Sequence, residues 1–362
     1  MDPGQTMLAL GLMSGTSADG VDAGLIETDG VAVRRLGPAL TVPYPDALRR
    51  ALLAVMADPE RARHDPLPRL ERAVTDANAA AARTLLAQAG TQSGARPDVV
   101  GMHGQTVLHR PEQRFTRQLG DGAALRAMLG VPVVSRFRDA DVASGGQGAP
   151  LVPLFHQALL RGEAGPVAVL NLGGVANVTY IDGPVLMAFD TGPASALLDD
   201  WTARHTGAAF DAGGALAMRG TVDEAVLAGL LAHPYFDRAP PKSLDRNAFP
   251  LAAAEGLGVA DGAATLAAFT ARSVARACEH LPAMPRRWLV GGGGRQNAAL
   301  MHLLRAALGV PVEPVEAVGW DGDALEAQAF GFLAVRALQG LPLSLPGTTG
   351  VPWPMPGGVV DG

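Results

Sequence analysis

The sequence lacks several features that define large classes of proteins. It has one cysteine, Cys278, in 362 residues, which excludes an internal disulfide framework and a metal site built from several cysteines. It has no run of about 18 uncharged apolar residues, the length that a membrane-spanning helix needs. Its first residues also lack the basic segment of a secretory signal. We therefore expect a protein of the cytosol with no membrane partner.

Blocks of one charge sign are also absent. The sequence has 29 basic and 35 acidic residues, and they are interspersed to give a net charge of −6. Because binding to nucleic acids requires a concentrated positive surface, we expect no nucleic-acid partner. The hydrophobic fraction of 48% and the chain length allow a globular protein with two buried cores.

The sequence motifs of four enzyme classes are missing. There is no GxxxxGK[ST], and no GxGxxG with an acid about twenty residues later, which disfavours P-loop and Rossmann nucleotide sites. There is no HExxH, which disfavours a zinc site, and no GxSxG, which leaves an α/β serine hydrolase unsupported. Cys278 lies on an apolar helical face, which is typical of a core residue.

One stretch near the start has the composition of a ligand-binding turn. The apolar runs 8–13 and 21–26 flank a small polar segment, and this pattern predicts strand, tight turn and strand. The segment reads Ser14, Gly15, Thr16, Ser17, Ala18, Asp19 and Gly20. Backbone N–H groups and hydroxyls of such a turn suit phosphate oxygens, although an ordinary hairpin is the alternative. Either Asp19 or Asp22 could position magnesium, and Asp19 could instead form only an Asx turn.

Hydrophobic periodicity predicts the remaining elements of the first half. A helix begins after Pro45, a charged loop covers 58–68, and a long helix covers 69–90. A short strand at 98–102 then presents His103, Gln105 and Thr106 at its carboxyl end, where open α/β sheets bind ligands.

The second half repeats the opening pattern. Strands 167–172 and 175–181 are joined by Gly173 and Gly174, and strand 288–290 leads through four glycines into a helix. Two strand-turn-strand units with a strand-GGGG-helix unit are typical of a two-lobed nucleotide-binding fold. The alternative is that the four glycines form only a flexible link. A helix over 323–339 and a proline-rich surface tail from Gly340 are predicted to follow.

Asp190 is the candidate general base. It follows the apolar strand PVLMAF and precedes small residues, so its carboxylate can face a ligand without competition from bulky side chains. Its alternative role is to cap the helix that begins near residue 195.

Eight motifs, in order along residues 8 to about 340, give the sequence a close resemblance to the anhydro-N-acetylmuramic acid kinases. They are MSGTSADGVD, HGQT, GGQGAPLVPLFH, NLGGVANV, FDTGP, PPKS, VGGGGRQNAALM and ALEAQAF. This family belongs to the superfamily of actin, hexokinase and heat-shock ATPases.

The resemblance implies a two-lobed, actin-like ATPase (sugar kinase) fold of the α/β class. Its duplicated mixed-sheet domains would hold an ATP cleft between them. We expect residues 1–140 with 323–340 to form the first lobe, 141–322 the second lobe and 341–362 a C-terminal tail. A homodimer is the oligomeric state that we keep open.

The resemblance also implies a reaction in cell-wall recycling and the residues that perform it. An ATP- and Mg²⁺-dependent kinase would open 1,6-anhydro-N-acetylmuramic acid with water and phosphorylate its 6-oxygen. Asp190 would be the catalytic base and Asp19 a metal ligand. ATP would bind at Gly15, Thr16, Ser17, Ala18, Asp19, Gly20, Val21, Asp22, Gly173, Gly174, Gly292, Gly293 and Asn297. The sugar would bind at His103, Gln105, Thr106, Arg138, Asp141 and Glu326.

Three departures from the family pattern are visible. Met13 stands where the wider superfamily has an aspartate, Ala194 and Ser195 replace Gly-Asn, and residues 242–247 read KSLDRN instead of KSxGRE. A kinase for another amino sugar or polyol is one alternative function. A ligand-responsive regulatory module without turnover is the other, and the FDTGP motif argues against it because a sensor needs no base.

Overall fold

A computed structural model describes residues 4–93, 96–245 and 248–362. The chain divides into two compact units. One ends at Arg161 and resumes at Ala324, and the other spans Gly162–Asp323. The predicted lobe boundaries fall elsewhere, after residue 140 and before residue 341. The difference arises because both segments contact the rest of the first unit. The His109 Nε2 lies 2.9 Å from the Gln147 carbonyl oxygen, and Val360 pairs with Val134 in the sheet.

The first unit is built on a seven-stranded mixed sheet. Its strand order is β12-β6-β4-β1-β2-β3, with β5 paired to β4. The strands are β1 Met7–Ser14, β2 Gly20–Thr28, β3 Val33–Pro43, β4 Val99–Arg110, β5 Phe115–Leu119, β6 Val133–Ser135 and β12 Val359–Asp361. The helices are α1 Asp46–Met56, α2 Pro59–His64, α3 Pro68–Ser93, α4 Gly122–Leu129, α5 Asp139–Ala143, α6 Pro153–Leu159, α11 Leu325–Leu338 and α12 Pro346–Thr349.

The second unit is built on a five-stranded sheet. Its order is β11-β10-β7-β8-β9. The strands are β7 Val167–Leu172, β8 Val175–Asp182, β9 Val185–Pro193, β10 Arg287–Gly291 and β11 Val312–Pro314. The helices are α7 Ser195–Thr206, α8 Glu224–Leu231, α9 Val259–Ala277 and α10 Ala298–Leu308.

The two sheets have the same five-strand plan. In each unit three consecutive antiparallel strands are followed by two parallel strands added on the side of the first strand. β1 pairs with β4 in parallel, as β7 does with β10. The prediction of an α/β fold with duplicated mixed sheets is therefore confirmed.

Local predictions hold where hydrophobic periodicity is strong. β1 and β2 form the predicted antiparallel pair, with Met13 opposite Asp22, and α1 begins after Pro45. The predicted loop 58–68 is wrong, because Asp58 caps a short helix that begins with Pro59.

Three other predictions fail because tertiary pairing extends a strand, in two cases, or forms a new one, in the third. β4 continues through the HGQT motif to Arg110 because β5 pairs with it, so His103 is inside the strand. β9 continues past Asp190 because Val175 of β8 still pairs with Pro193. The tail after Gly340 does not simply cover the surface, because it supplies β12, which pairs with β6.

Helix α11 packs unusually close to the first sheet. A Cβ at Gly11 of β1 would lie 1.7 Å from the Ala327 carbonyl oxygen, and one at Gly101 of β4 would lie 2.1 Å from the Phe330 carbonyl oxygen. Only glycine fits at these two strand positions. Ala327, Phe330 and Leu333 on this helix are buried, so the sheet and the helix form a closely packed core.

This close packing predicts the effect of one added methyl group. We expect Gly11→Ala to destabilise the protein by more than about 3 kcal/mol, because the helix backbone must move away from the sheet. The change is measured as a shift of the urea unfolding midpoint. Gly90→Ala is the control, since no atom lies within 4 Å of its Cβ position in helix α3. It should raise stability by roughly 0.5–1 kcal/mol. Equal midpoints for the two variants would contradict the prediction.

Candidate functional site

The turn between β1 and β2 combines a fixed backbone with exposed hydroxyls. The side chains of Thr16, Ser17 and Asp19 are exposed, whereas Ala18 is buried with a φ of 49°. Its backbone N–H donates to the Gly15 carbonyl at 3.2 Å. The side chains with oxygen atoms therefore face solvent around a closed turn, as a phosphate-binding loop requires.

Tyr44 fixes one side of this turn. Its hydroxyl lies 2.7 Å from the Ser14 Oγ, and its backbone N–H donates to the Asp19 carbonyl at 2.9 Å. Burial, with smaller contributions from the negative charges of Asp19 and Asp22, raises the pKa of Tyr44 to about 12. Both carboxylates therefore lie close to the turn.

Gln105 fixes the other side of the turn. Its Nε2 donates to the Gly15 carbonyl at 2.9 Å, and its side chain is fully buried. β1 and β4 run in parallel with Ser14 paired to Gln105, which places the residue beside the turn. Its Oε1 has no hydrogen-bond partner among the described residues. A buried acceptor without a partner is costly, so this oxygen is suited to a ligand.

The buried His103 is hydrogen-bonded to the half-buried Arg138. The Arg138 Nε donates to the His103 Nε2 at 3.0 Å, so that nitrogen is the acceptor and Nδ1 carries the proton toward the Gly104 carbonyl at 2.7 Å. Burial, and next the positive charge of Arg138, hold the pKa of His103 well below its usual range. His103 is therefore neutral at physiological pH.

Arg138 and Asp141 together hold the backbone of Gly148 in the glycine-rich segment. The Arg138 Nη1 donates to the Gly148 carbonyl, and the Gly148 N–H donates to the Asp141 Oδ1, both at 2.6 Å. The second Asp141 oxygen accepts from the Thr349 hydroxyl at 2.6 Å. The C-terminal segment thus helps to shape this region of the first unit.

Glu326 and Thr106 lie at the edge of the same region. Both side chains are half-buried, and Glu326 is in the first turn of helix α11. Burial lowers the pKa of Arg138, and the negative charge of Glu326 opposes that shift. The structure therefore brings His103, Arg138 and Glu326 together, as the sequence predicts for its sugar-binding set.

In the second unit, both glycine turns lie at the carboxyl end of neighbouring strands. β7 and β10 are parallel, with Asn171 paired to Gly291, so the turns that follow them are adjacent. Gly292 has a φ of 73°, and a Cβ there would lie 2.4 Å from the Asn171 Oδ1. The Gly173 carbonyl accepts from the Ser195 N–H at 2.9 Å, which joins this turn to the start of α7.

Asn297 and Arg295 shape the end of the four-glycine turn. The Asn297 Oδ1 caps helix α10 by accepting from the Leu300 N–H at 3.0 Å. The Arg295 guanidinium donates to the Gly292 carbonyl at 3.0 Å and also binds Glu316 and Asp323. Arg295 is not among the site residues predicted from the sequence, where only its position directly after the glycine run points to it.

Asp190 lies at the same end of the second sheet. It pairs with Asn177 of β8, close to the Gly173–Gly174 turn. Its Oδ2 accepts from the Leu244 N–H at 2.8 Å, its N–H donates to the Lys242 carbonyl at 3.0 Å, and its carbonyl accepts from the Tyr235 hydroxyl at 2.5 Å. Residues 246 and 247 of the altered KSLDRN segment lie outside the described residues.

The surroundings of Asp190 suit a general base. Burial raises the pKa of its carboxyl group to about 7, and the hydrogen bond from Leu244 partly opposes that shift. A base with a pKa near the working pH is available as a carboxylate and still accepts a proton readily. Asp190 caps no helix, because the N-cap residue of α7 is Ala194, which makes no side-chain cap.

The described ranges contain no group of three or more His, Cys, Asp or Glu side chains arranged to hold a metal ion. Magnesium bound to ATP takes most of its ligands from phosphates and water, so one or two carboxylates suffice. The exposed Asp19 fits that need better than Asp22, which accepts from the Thr41 hydroxyl at 2.6 Å. As for membranes, no helix among the described residues combines the length and hydropathy that crossing a bilayer requires.

Comparisons with known proteins agree on one family. The sequence model of that family, described as anhydro-N-acetylmuramic acid kinase, matches residues 7–360. A protein of that name from Rhodospirillum rubrum is 58% identical over 353 residues, which cover 97% of this chain and 93% of the relative. Another from Acidiphilium cryptum is 57% identical over 359 residues, 97% of each chain. A third, from Rhizorhabdus wittichii, is 53% identical over 98% of each chain.

The raised pKa of Asp190 predicts a pH-dependent effect of Asp190→Asn on stability. The folded state holds the proton up to about pH 7, whereas an unfolded aspartate loses it near 3.8, so stability falls as pH rises between these values. An asparagine does not ionise. We therefore expect the free energy of unfolding of the variant to exceed that of the parent by roughly 1–3 kcal/mol at pH 8. Most of this difference should be lost at pH 4. Thermal unfolding at both pH values measures it, and a difference independent of pH would contradict it.

Proposed function

The chain belongs to the anhydro-N-acetylmuramic acid kinase family, and we propose that it opens 1,6-anhydro-N-acetylmuramic acid with water and phosphorylates the 6-oxygen. Membership makes it an ATP-using kinase that acts on a small-molecule sugar. The products of the proposed reaction are N-acetylmuramic acid 6-phosphate and ADP. The observation that carries the proposal is the half-buried Asp190, whose pKa lies near 7.

The proposed chemistry needs one base. The anhydro bridge is an intramolecular acetal between the anomeric carbon and the 6-oxygen. Asp190 takes a proton from water as the water oxygen bonds to the anomeric carbon and the bond to the 6-oxygen breaks. The 6-oxygen forms a bond to the γ-phosphorus, and the bond from that phosphorus to the bridging oxygen of ADP breaks. No carboxylic acid is needed for the leaving oxygen, because phosphorus replaces the proton that a glycosidase supplies.

One oxygen of Asp190 is assigned to the water. Oδ2 accepts from the Leu244 N–H, so the proposal gives Oδ1 to the nucleophile. Backbone hydrogen bonds to Lys242 and Tyr235 fix the residue on both sides of its Cα. A base held in this way needs little reorganisation when the water arrives.

We assign the phosphates of ATP to the β1–β2 turn and the glycine turns of the second unit. The exposed Thr16 and Ser17 hydroxyls and the turn backbone support this assignment. Asp19 would hold magnesium, which supplies positive charge to the transferring phosphoryl group when bound. The full proposed set is Gly15, Thr16, Ser17, Ala18, Asp19, Gly20, Val21, Asp22, Gly173, Gly174, Gly292, Gly293 and Asn297. That ATP lies in a cleft between two lobes stays a prediction.

We assign the sugar to the polar region of the first unit. Its members are His103, Gln105, Thr106, Arg138, Asp141 and Glu326. The unpartnered Gln105 Oε1 offers an acceptor for a hydroxyl or amide of the sugar, and the half-buried Arg138 suits the lactyl carboxylate. The substrate derives from the cell wall, so we place the reaction in peptidoglycan recycling, in the cytoplasm where ATP is supplied.

The proposal predicts where oxygen from water is incorporated. With ATP, magnesium, anhydro-N-acetylmuramic acid and ¹⁸O-labelled water, we expect a 6-phosphate that carries the label on the anomeric carbon. Mass spectrometry of the sugar product measures it. Other amino sugars and polyols are tested in parallel, and faster turnover of one of them would replace the proposed substrate.

A variant separates catalysis from binding in the same assay. We expect Asp190→Asn to lower the rate at least about 10²-fold, because the water loses its base. ATP affinity by calorimetry should stay within about twofold of the parent, because the assigned phosphate ligands are unchanged. A near-normal rate would show that the base is another residue.

Activity should depend on pH through the same group. Because the carboxylate is the active form, we expect kcat/KM for the sugar to fall about tenfold per pH unit below the Asp190 pKa of about 7. Steady-state rates between pH 5 and 9 with saturating ATP measure this dependence. A profile that stays flat down to pH 5 would contradict it.

A further inference from the structure

Lys242 is the only lysine in the sequence. The other 28 of the 29 basic residues are arginine. Surface positions that need only a positive charge are thus all filled by arginine. We therefore expect this position to need a property of lysine that arginine lacks. The lysine ammonium is a compact group with three donors at the end of a flexible aliphatic chain.

The ammonium group of Lys242 is buried. The residue is 4% exposed, and its Nζ donates to the Tyr235 and Phe236 carbonyls, both at 3.2 Å. It also lies 3.3 Å from the His280 Nε2 and 4.8 Å from the centre of the Tyr235 ring. Both carbonyls are uncharged, and burial lowers the pKa of Lys242 to about 8. The titratable and charged groups nearest to it are Tyr235, Asp237, Arg238, Arg276 and His280.

Burying an ammonium group costs free energy unless hydrogen bonds satisfy it, so the contacts of Lys242 restrict the position of its side chain. An apolar side chain would fill the same space without a charge to satisfy, but it would remove one donor from each of two carbonyls. The Tyr235 carbonyl would keep only the Arg238 N–H at 3.3 Å, and the Phe236 carbonyl only the His280 Nε2 at 2.9 Å. The side chain of Lys242 thus binds the segment 242–244 firmly to residues 235 and 236.

That segment in turn holds Asp190. The Lys242 carbonyl accepts from the Asp190 N–H, and the Leu244 N–H donates to the Asp190 Oδ2. Tyr235, whose carbonyl accepts from the ammonium, donates its hydroxyl to the Asp190 carbonyl. All three of these hydrogen bonds of Asp190 therefore go to residues that the ammonium anchors.

We propose that Lys242 is a positioning residue for the catalytic base: its buried ammonium anchors the segment that fixes the Asp190 carboxylate. This inference rests on the proposed role of Asp190 and deepens it. The lysine does not contact substrate or ATP in this assignment. Its contribution is to keep the Leu244 N–H on Oδ2, which leaves Oδ1 directed at the water.

The test is Lys242→Met, which keeps the length of the side chain and removes its donors. We expect kcat/KM for the anhydro sugar to fall about 10- to 100-fold, because a small displacement of the base is enough to cause such a loss. The acid limb of the pH profile should move up by about half a unit or more, because the hydrogen bond that lowers the Asp190 pKa is weakened. ATP affinity should stay within about twofold.

Arg336→Met is a matched control. Arg336 is also a buried cation that donates to two backbone carbonyls, of Pro342 and Gly30, but it belongs to the first unit. Its loss should lower the thermal midpoint and leave the acid limb in place. If Lys242→Met also leaves the acid limb in place, and its rate loss equals its unfolded fraction, the role is only structural and the proposal fails.

A second measurement does not depend on activity. Because there is one lysine, ¹³C-lysine labelling gives one set of side-chain NMR signals, and the ¹³Cε shift reports the amine directly. We expect it to titrate near pH 8 in the folded protein. Titration at the ordinary value of about 10.5 would mean a solvated amine and would overturn the proposal.

Different results would refute the proposed function and the proposed role of Lys242. If the parent protein forms no 6-phosphate, or Asp190→Asn retains its rate, the proposed function fails. If Asp190→Asn is inactive and the lysine variant keeps the rate and pH profile of the parent, only the role of Lys242 is refuted.

Discussion

The first unit depends on the close contact between helix α11 and two glycines of the sheet. At Gly11 and Gly101 the helix backbone lies where any side chain would be, so strands from the start of the chain and a helix near its end form one core. The same helix carries Glu326 and places the Phe330 ring 4.6 Å from the His103 ring, between centroids, at an interplanar angle of 42°. The packing of the first unit and the proposed sugar-binding region therefore depend on one element, and a shift of the helix would disturb both.

The two units use the same sheet plan for different chemical purposes. In the first unit the turn after β1 presents exposed hydroxyls, and β4 carries a buried, neutral His103 beside Arg138. In the second unit the corresponding end presents two glycine turns and one carboxylate with a raised pKa. A repeated scaffold thus carries the proposed ligand contacts in one unit and the proposed base in the other.

The properties of Asp190 come from its surroundings more than from its motif. An aspartate in a solvated turn would titrate near its ordinary value of 3.8, and burial in β9 raises its pKa to about 7. One donated hydrogen bond limits that rise and fixes the orientation of the carboxylate. The buried Lys242 supports this arrangement indirectly, since its ammonium anchors the segment that supplies the hydrogen bond. Ionising this half-buried carboxylate lowers the stability of the folded state, although the proposed base must be ionised to accept a proton.

The strand-turn-strand units, most helices, the glycine turns and the candidate base Asp190 could all be predicted from the sequence, because they depend on local periodicity and turn chemistry. Tertiary structure alone decided that β4 continues through His103, that the tail supplies β12, and that Asp141 binds Thr349. Each of these rests on a contact between chain segments that are distant in sequence or on a pairing partner, which no local pattern encodes. The same reason explains why the burial of Lys242 and the pKa of Asp190 emerged only from the folded chain.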